Sequence, residues 1–173
     1  MSRMNVVIYP AESLRRKATP VEEIDDAICK NAEEMLEIMY DADGIGLAAA
    51  QVGWLKKLIV IDVRDEQEEE EKVFINPYIV NEEGTILSEE GCLSFPGVTG
   101  KIPRSEIVEI VAYNLKGEKL QIKASGLLAR VFQHEIDHLN GMLFIDKMTP
   151  ASSMANSQKI KEFERIYRKV RAS

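Results

Sequence analysis

The sequence predicts an α+β fold: antiparallel β-sheets packed around a central helix, with an early helix and a C-terminal helix. Three observations carry this reading. Runs rich in β-branched residues, bounded by turn residues, recur at Lys57–Val63, Val73–Val80, Ile107–Tyr113 and Glu118–Ala124. Apolar residues recur at helical spacing over Asp25–Asp41 and again between Ser125 and Gly141, and a last helix is expected from about Asn156 to Arg171. No internal repeat or linker divides the 173 residues, so one domain spanning 1–173 is expected, with 156–173 as a basic C-terminal helix.

The elements follow in order. Pro10 and Pro20 punctuate an irregular start in which Leu14–Lys17 can make a short turn of helix. In the first helix Ile28, Ala32, Met35 and Met39 share a face, while Lys30, Glu33 and Glu34 point elsewhere; Gly44 lies shortly beyond its end. Gly44 to Gln51 is then a run of small residues broken only by Ile45 and Leu47. By composition alone this favours a buried turn and strand where backbones pack closely. Its functional reading is that missing side chains let a substrate backbone approach, with Gln51 supplying a polar amide. The acidic run Asp65–Glu71 is expected to be a solvated, mobile loop. Asn76-Pro77 predicts a bend or a sheet edge, and Asn81–Gly84 a turn. Gly91 and Pro96 predict a shaped loop over Glu90–Gly97 that presents Cys92, and Asn114–Gly117 predicts a hairpin turn. Ser125 is the expected N-cap of the central helix, and Met142–Ile145 reads as a short strand.

Composition is that of an ordinary globular chain, 45% hydrophobic and 29% charged, and a net charge of -7 argues against a general nucleic-acid binder. No apolar run approaches membrane-spanning length and Met1–Asn5 lacks a signal-peptide core, so a cytoplasmic location is expected. In such a reducing compartment Cys29 and Cys92 should stay unpaired. Charge is uneven along the chain. Residues 156–173 hold six cations against two carboxylates, a net +4, which leaves -11 for the rest. A solvated helix explains this, and so does docking on a polyanion.

Gln133 to Gly141 contains His134-Glu135-Ile136-Asp137-His138, and these are the only two histidines. On a helix they lie one turn apart on one face, where two imidazoles can hold a divalent metal and Glu135 can reach a water beside it. Two histidines placed at random would fall four apart in roughly 1% of such chains, which favours the metal reading. Leu127 and Val131 continue the same stripe upward, so the histidines stand where core residues are expected. Two buried imidazoles without partners would be costly, which again favours coordination. A hydrolytic metal centre needs a third protein ligand and one open position. Cys92 upstream and Glu162 or Glu164 downstream are the candidates; the Gly/Pro-shaped loop favours Cys92, because the two glutamates sit among lysines and arginines on a solvated helix.

Gly44-Ile45-Gly46-Leu47-Ala48-Ala49-Ala50-Gln51, Glu90-Gly91-Cys92-Leu93-Ser94 and Gln133-His134-Glu135-Ile136-Asp137-His138 resemble, in order, the three signature motifs of peptide deformylases. The similarity extends to Pro10, Leu14-Arg15, Asn76-Pro77, Pro103-Arg104 and Gly126-Leu127-Leu128. It implies hydrolysis of the formyl group of formyl-methionine on newly made polypeptides. It also implies Cys92, His134 and His138 as ligands of one divalent ion, usually Fe2+, with Zn2+, Ni2+ or Co2+ able to substitute. Glu135 would be the general base, and the Gln51 amide and Leu93 N–H would stabilise the oxyanion. Gly44, Ile45 and Gly46 would lie along the peptide, with Ile45, Leu127, Val131 and His134 around the methionine side chain. Glu90, Arg104 and Asp137 would form a charged network behind the site. No role transfers to Thr99 or Arg130, which depart from residues common among relatives. The resemblance reverses the composition-based preference at Gly44–Gln51, and it extends the docking reading of the C-terminal helix to ribosomal RNA. A metallopeptidase with a glutamate ligand is disfavoured by the first two motifs. A non-enzymatic, ribosome-associated structural metal module predicts a closed four-ligand site, for which the chain has no third histidine.

Overall fold

The structure is a computed structural model and describes residues 3–65 and 71–173; residues 66–70 of the acidic run lie outside the described residues. Along the chain come α1 (Asp26–Asp41), β1 (Gly46–Ala48), β2 (Leu58–Ile61), β3 (Val73–Glu83), β4 (Ile86–Gly91) and β5 (Thr99–Arg104). Then follow β6 (Ile107–Tyr113), β7 (Lys119–Ser125), α2 (Gly126–Leu139) and α3 (Pro150–Arg171). Five strands pair into one antiparallel sheet in the order β1-β2-β3-β6-β7, and β4 and β5 form a separate antiparallel pair.

Alternation along β2 explains why α-helices cover both faces of the large sheet. Leu58 and Val60 pack with Ile28, Ala32, Met35 and Met39 of α1, while Ile59 and Ile61 pack with Ala129, Phe132 and Ile136 of α2. With both faces covered, all four β2 residues are buried. α1 starts where its sequence does: the Asp25 carboxylate accepts a hydrogen bond from Ile28 N–H at 2.8 Å. A third apolar cluster lies between the β4–β5 pair and the segments that flank it, with Phe95 stacked on Tyr9 and edge-on to Phe144 and Phe163. α2 is thus central, with Phe132 against the sheet and His134 beside Phe144.

Several elements differ from expectation. β3 runs on through Asn81–Glu83, where a turn was expected, because those residues pair with Glu109, Val108 and Ile107 of β6; Gly84, with φ 70°, follows the end of the strand. The expected irregularity at Asn76-Pro77 is a bulge: Asn76 has φ 50°, and its side-chain amide bonds both backbone groups of Val21 at 2.9 Å. Met142–Ile145 is not a strand. A 3-10 turn at Phe144–Asp146 replaces it, closed by Leu143 N–H donating to the Asp146 carboxylate. α3 begins at Pro150 rather than near Asn156, since Thr149 caps it by accepting from Ser152 N–H and Pro150 suits the first turn. Cys29 and Cys92 are both free, and no described helix is long and apolar enough to cross a membrane.

α2 ends under the N-terminal segment, where Ala18 N–H donates to the Leu139 carbonyl at 2.9 Å. Gly141 follows with φ +73°, and a Cβ there would lie 2.5 Å from the Arg15 carbonyl oxygen. Gly141→Ala should therefore lower stability by about 2 kcal/mol or more, from left-handed strain and backbone displacement together. Urea unfolding measures this; a loss below about 0.5 kcal/mol would contradict the packing described.

Candidate active site

α2 carries His134, Glu135 and His138 in its second half, and packing there takes all three out of water. The imidazole centroids of His134 and His138 are 5.0 Å apart. Cys92 comes from the loop between β4 and β5, which is shaped by Phe95 N–H donating to the Cys92 carbonyl and Val98 N–H to the Phe95 carbonyl. Phe95, buried in its aromatic cluster, fixes that loop from behind. Cys92 Sγ lies 3.4 Å from His138 Nε2, and the donor atoms of Cys92, His134 and His138 are all within 4.8 Å of one another. Glu162 and Glu164, the other candidate ligands, are engaged elsewhere: Glu162 pairs with Arg165, and Glu164 accepts from the Tyr9 hydroxyl.

A buried ionic network orients these groups. Arg104 at the end of β5 donates through Nε and Nη2 to both oxygens of Glu90 and through Nη1 to Asp137, at 2.6–2.9 Å. Lys147 reaches the same Asp137 oxygen at 2.8 Å. Glu90 Oε1 also accepts from His134 Nδ1 at 2.9 Å, a bond that leaves His134 Nε2 to face the site. Burial pushes the Glu90 carboxyl up, but its bonds to Arg104 and His134 prevail and hold its pKa at about 2. Glu135 moves the opposite way, to about 7. Burial is the main cause, and the charges of Glu90 and Asp137 add to it against His134 and Arg104. Burial also works against charge on both imidazoles. At His134 the bonds to Cys92 and Glu90 outweigh it and the pKa rises; at His138 nearby His134 and Arg104 reinforce it and the pKa falls.

The residues present suit a metal ion. A soft thiolate and two imidazoles are a donor set for divalent transition metals, and three ligands leave one position open. Glu135 Oε2 and His138 Nδ1 are buried without a hydrogen-bond partner among the described residues. A bare carboxylate oxygen of this kind is costly unless a further polar group comes to it, and water beside an ion would be such a group.

Gln51 lies in a 3-10 turn after β1, 1% exposed. Its oxygen accepts from Ala48 N–H at 2.9 Å, which turns Nε2 toward Ser94 Oγ at 3.3 Å and Cys92 Sγ at 3.4 Å. A cleft of about 630 Å³ opens over this group. Gly44, Ile45, Gly46, Gln51, Cys92, Leu93, Leu127, Val131, His134 and Glu135 line it; His138 alone of the residues expected at the site lies behind the wall. Leu127 is exposed at the mouth and Val131 is buried within. β1, terminal in its sheet, and β4, whose only strand partner among the described residues is β5, both line the cleft. The glycines also serve packing. A Cβ on Gly46 would come within 2.7 Å of both Glu135 Oε1 and Val131, and one on Gly44 within 2.9 Å of Leu93. The composition-based reading of close backbone packing therefore holds at the very residues that line the cleft.

Three contributors escaped sequence reasoning: Ser94, which meets the Gln51 amide; Phe95, which anchors the Cys92 loop; and Lys147, which extends the ionic network. Ser94 closes the second motif without a role assigned to it there, and Phe95 is marked only by following it. Lys147 carries no signal in sequence.

Residues 3–154 match the model of the polypeptide deformylase family. A peptide deformylase of Thermodesulfovibrio yellowstonii is 50% identical over 151 residues, covering 87% of this chain and 92% of that one. The crystal structure of a Plasmodium falciparum peptide deformylase superposes with a TM-score of 0.89 at 42% identity, over 95% of this chain and 97% of its own. A plant peptide deformylase reaches a TM-score of 0.93 at 35% identity, over 100% of this chain and 95% of its own. With the motifs, the fold and these relatives in agreement, the chain belongs to the polypeptide deformylase family.

Proposed function

We propose that Cys92, His134 and His138 hold one divalent ion while this chain removes the formyl group from formyl-methionine at the start of new polypeptides. The observation that carries the reading is the convergence of one thiol and two imidazoles beside a buried carboxylate oxygen with no partner among the described residues. Bound there, the ion would supply Lewis-acid polarisation and a lowered pKa for water. Fe2+ is the ion proposed for the native enzyme, with Zn2+, Ni2+ or Co2+ as substitutes.

The chain's own residues do the rest. Glu135 takes the proton of the attacking water and returns it to the amine as the C–N bond breaks and formate leaves. Gln51 Nε2 and the Leu93 N–H face the oxyanion that develops on the formyl oxygen as water adds to the formyl carbon. Gly44 and Ile45, with Gly46 at the start of β1, lie along the peptide, which adds as a strand at that edge. Ile45, Leu127, Val131 and His134 surround the methionine side chain. A formyl carbon carries only hydrogen, so the close packing of Gly46, Val131 and Glu135 admits it and excludes larger acyl groups.

Residues 1–173 act together as one catalytic domain in this reading, at work in the cytoplasm. The exposed cations Arg168, Lys169 and Arg171 near the end of α3 fit docking on ribosomal RNA.

Three outcomes test these assignments. Anaerobically purified enzyme should release formate from a formyl-Met peptide and leave an acetyl-Met control intact; Gln51→Ala should lower kcat by about 10²–10³-fold, and a drop below about threefold excludes its role. Cys92→Ala should lose its metal on dialysis while Glu162→Ala keeps it, read by elemental analysis; the reverse pattern would sink the ligand assignment. Reversing Arg168, Lys169 and Arg171 to Glu should weaken ribosome sedimentation at low salt at least about tenfold, with formate release retained. Unchanged sedimentation removes the docking proposal.

A further inference from the structure

β5 borders the small sheet, so its outward backbone groups need partners other than a strand. α3 provides them. Lys101 N–H donates to Ser152 Oγ at 2.9 Å, and the Lys101 carbonyl accepts from Thr149 N–H at 2.9 Å. The Thr99 carbonyl accepts from Asn156 Nδ2 at 2.8 Å, and one turn on, Lys159 Nζ donates to the Gly97 carbonyl at 2.9 Å. Ser152, Asn156 and Lys159 recur at helical spacing on one face of α3, which takes the place of a third strand. Asn156 is 7% exposed, and its amide also donates to the Ser152 carbonyl.

What this face holds is a wall of the cleft. Phe95 to Thr99 line the cleft, and Thr99 stands opposite Gly91 in the β4–β5 ladder, next to Cys92. Thr99 Oγ1 in turn donates to Glu89, also a lining residue. The apolar contact of Phe163 with Phe95 already attaches α3 to the body. Such contact is non-directional and does not fix where one carbonyl sits.

We propose that Asn156 is a positioning residue for peptide binding, acting through the Thr99 carbonyl to set the β4–β5 wall of the cleft. The proposal rests on the deformylase reading of that cleft. It assigns the face of α3 turned toward the body to the site, apart from the exposed cations farther along the helix.

Asn156→Asp keeps the side-chain shape and removes the donor. In this variant KM for a formylated tripeptide should rise about threefold to tenfold, with kcat within about twofold and metal content unchanged. Hydrogen exchange over residues 97–101 should accelerate relative to the wild type. A folded variant with wild-type KM and wild-type exchange overturns the proposal, as does a lower melting temperature with KM unchanged. Should Asn156→Asp fail to fold, Lys159→Met removes the outer bond alone. It should give a smaller rise in KM, about twofold, and faster exchange at 97–99; no change in either overturns the proposal. Absence of formate release by the wild type would instead overturn the deformylase reading, and the exchange comparison would still decide the role of Asn156.

Discussion

Arg104 is almost wholly removed from water, and a guanidinium in that position is tolerated only when its charge is matched and its donors are occupied. Glu90 on β4 and Asp137 on α2 do both, so one side chain at the end of β5 ties the small sheet to the central helix. Removing a partner from such a buried group typically costs about 3–5 kcal/mol, because the remaining charge is stranded. The pairing therefore fixes the placement of β4 against α2. Cys92 follows Glu90 by two positions and His138 follows Asp137 by one, so fixing the carboxylates also brings Sγ to Nε2. The bond from His134 Nδ1 to Glu90 adds the tautomer to what the network decides.

A second constraint is steric. β1 passes so close to α2 that no Cβ fits at Gly46 between Glu135 and Val131. Packing and substrate access are often set against each other as explanations of a glycine-rich strand, but here one absence serves both. Without a side chain the strand can lie on the helix, and without a side chain its backbone remains open to the cleft. The same proximity shuts water away from Glu135, whose burial is the leading cause of its raised pKa.

Legibility in the sequence followed how local the cause was. α1, α2 and the β6–β7 hairpin were readable because periodicity, an Asp N-cap and an Asn/Gly turn act within a few residues of themselves. The grouping of Cys92, His134 and His138 was readable because two histidines one turn apart occupy a buried stripe and a Gly/Pro loop isolates Cys92. β4 and β5 were not. Ile86–Gly91 is mostly exposed and rich in Ser and Glu, and Thr99–Arg104 contains Gly100 and Pro103, which weigh against a strand. Their causes are distant in sequence: Arg104 binds Asp137 across 33 positions, and Asn156 reaches Thr99 across 57. The same holds for Asn81–Glu83, where turn chemistry lost to pairing with β6.

Apolar packing and polar geometry divide the work of building the site. Phe95 gathers Tyr9, Phe144 and Phe163 from three distant parts of the chain, and Phe144 also backs the ring of His134. Burial of this kind stabilises strongly, yet it is indifferent to small rotations and cannot aim a donor atom. Directional bonds do the aiming: Glu90 on His134, Ala48 N–H on Gln51, the Cys92 carbonyl on the Phe95 amide. The donor atoms of Cys92, His134 and His138, drawn from a loop and a helix far apart in sequence, can meet only if both conditions hold. The aromatic cluster and the sheet bring the elements together, and a small number of buried polar bonds then set the angle at which each group faces the cleft.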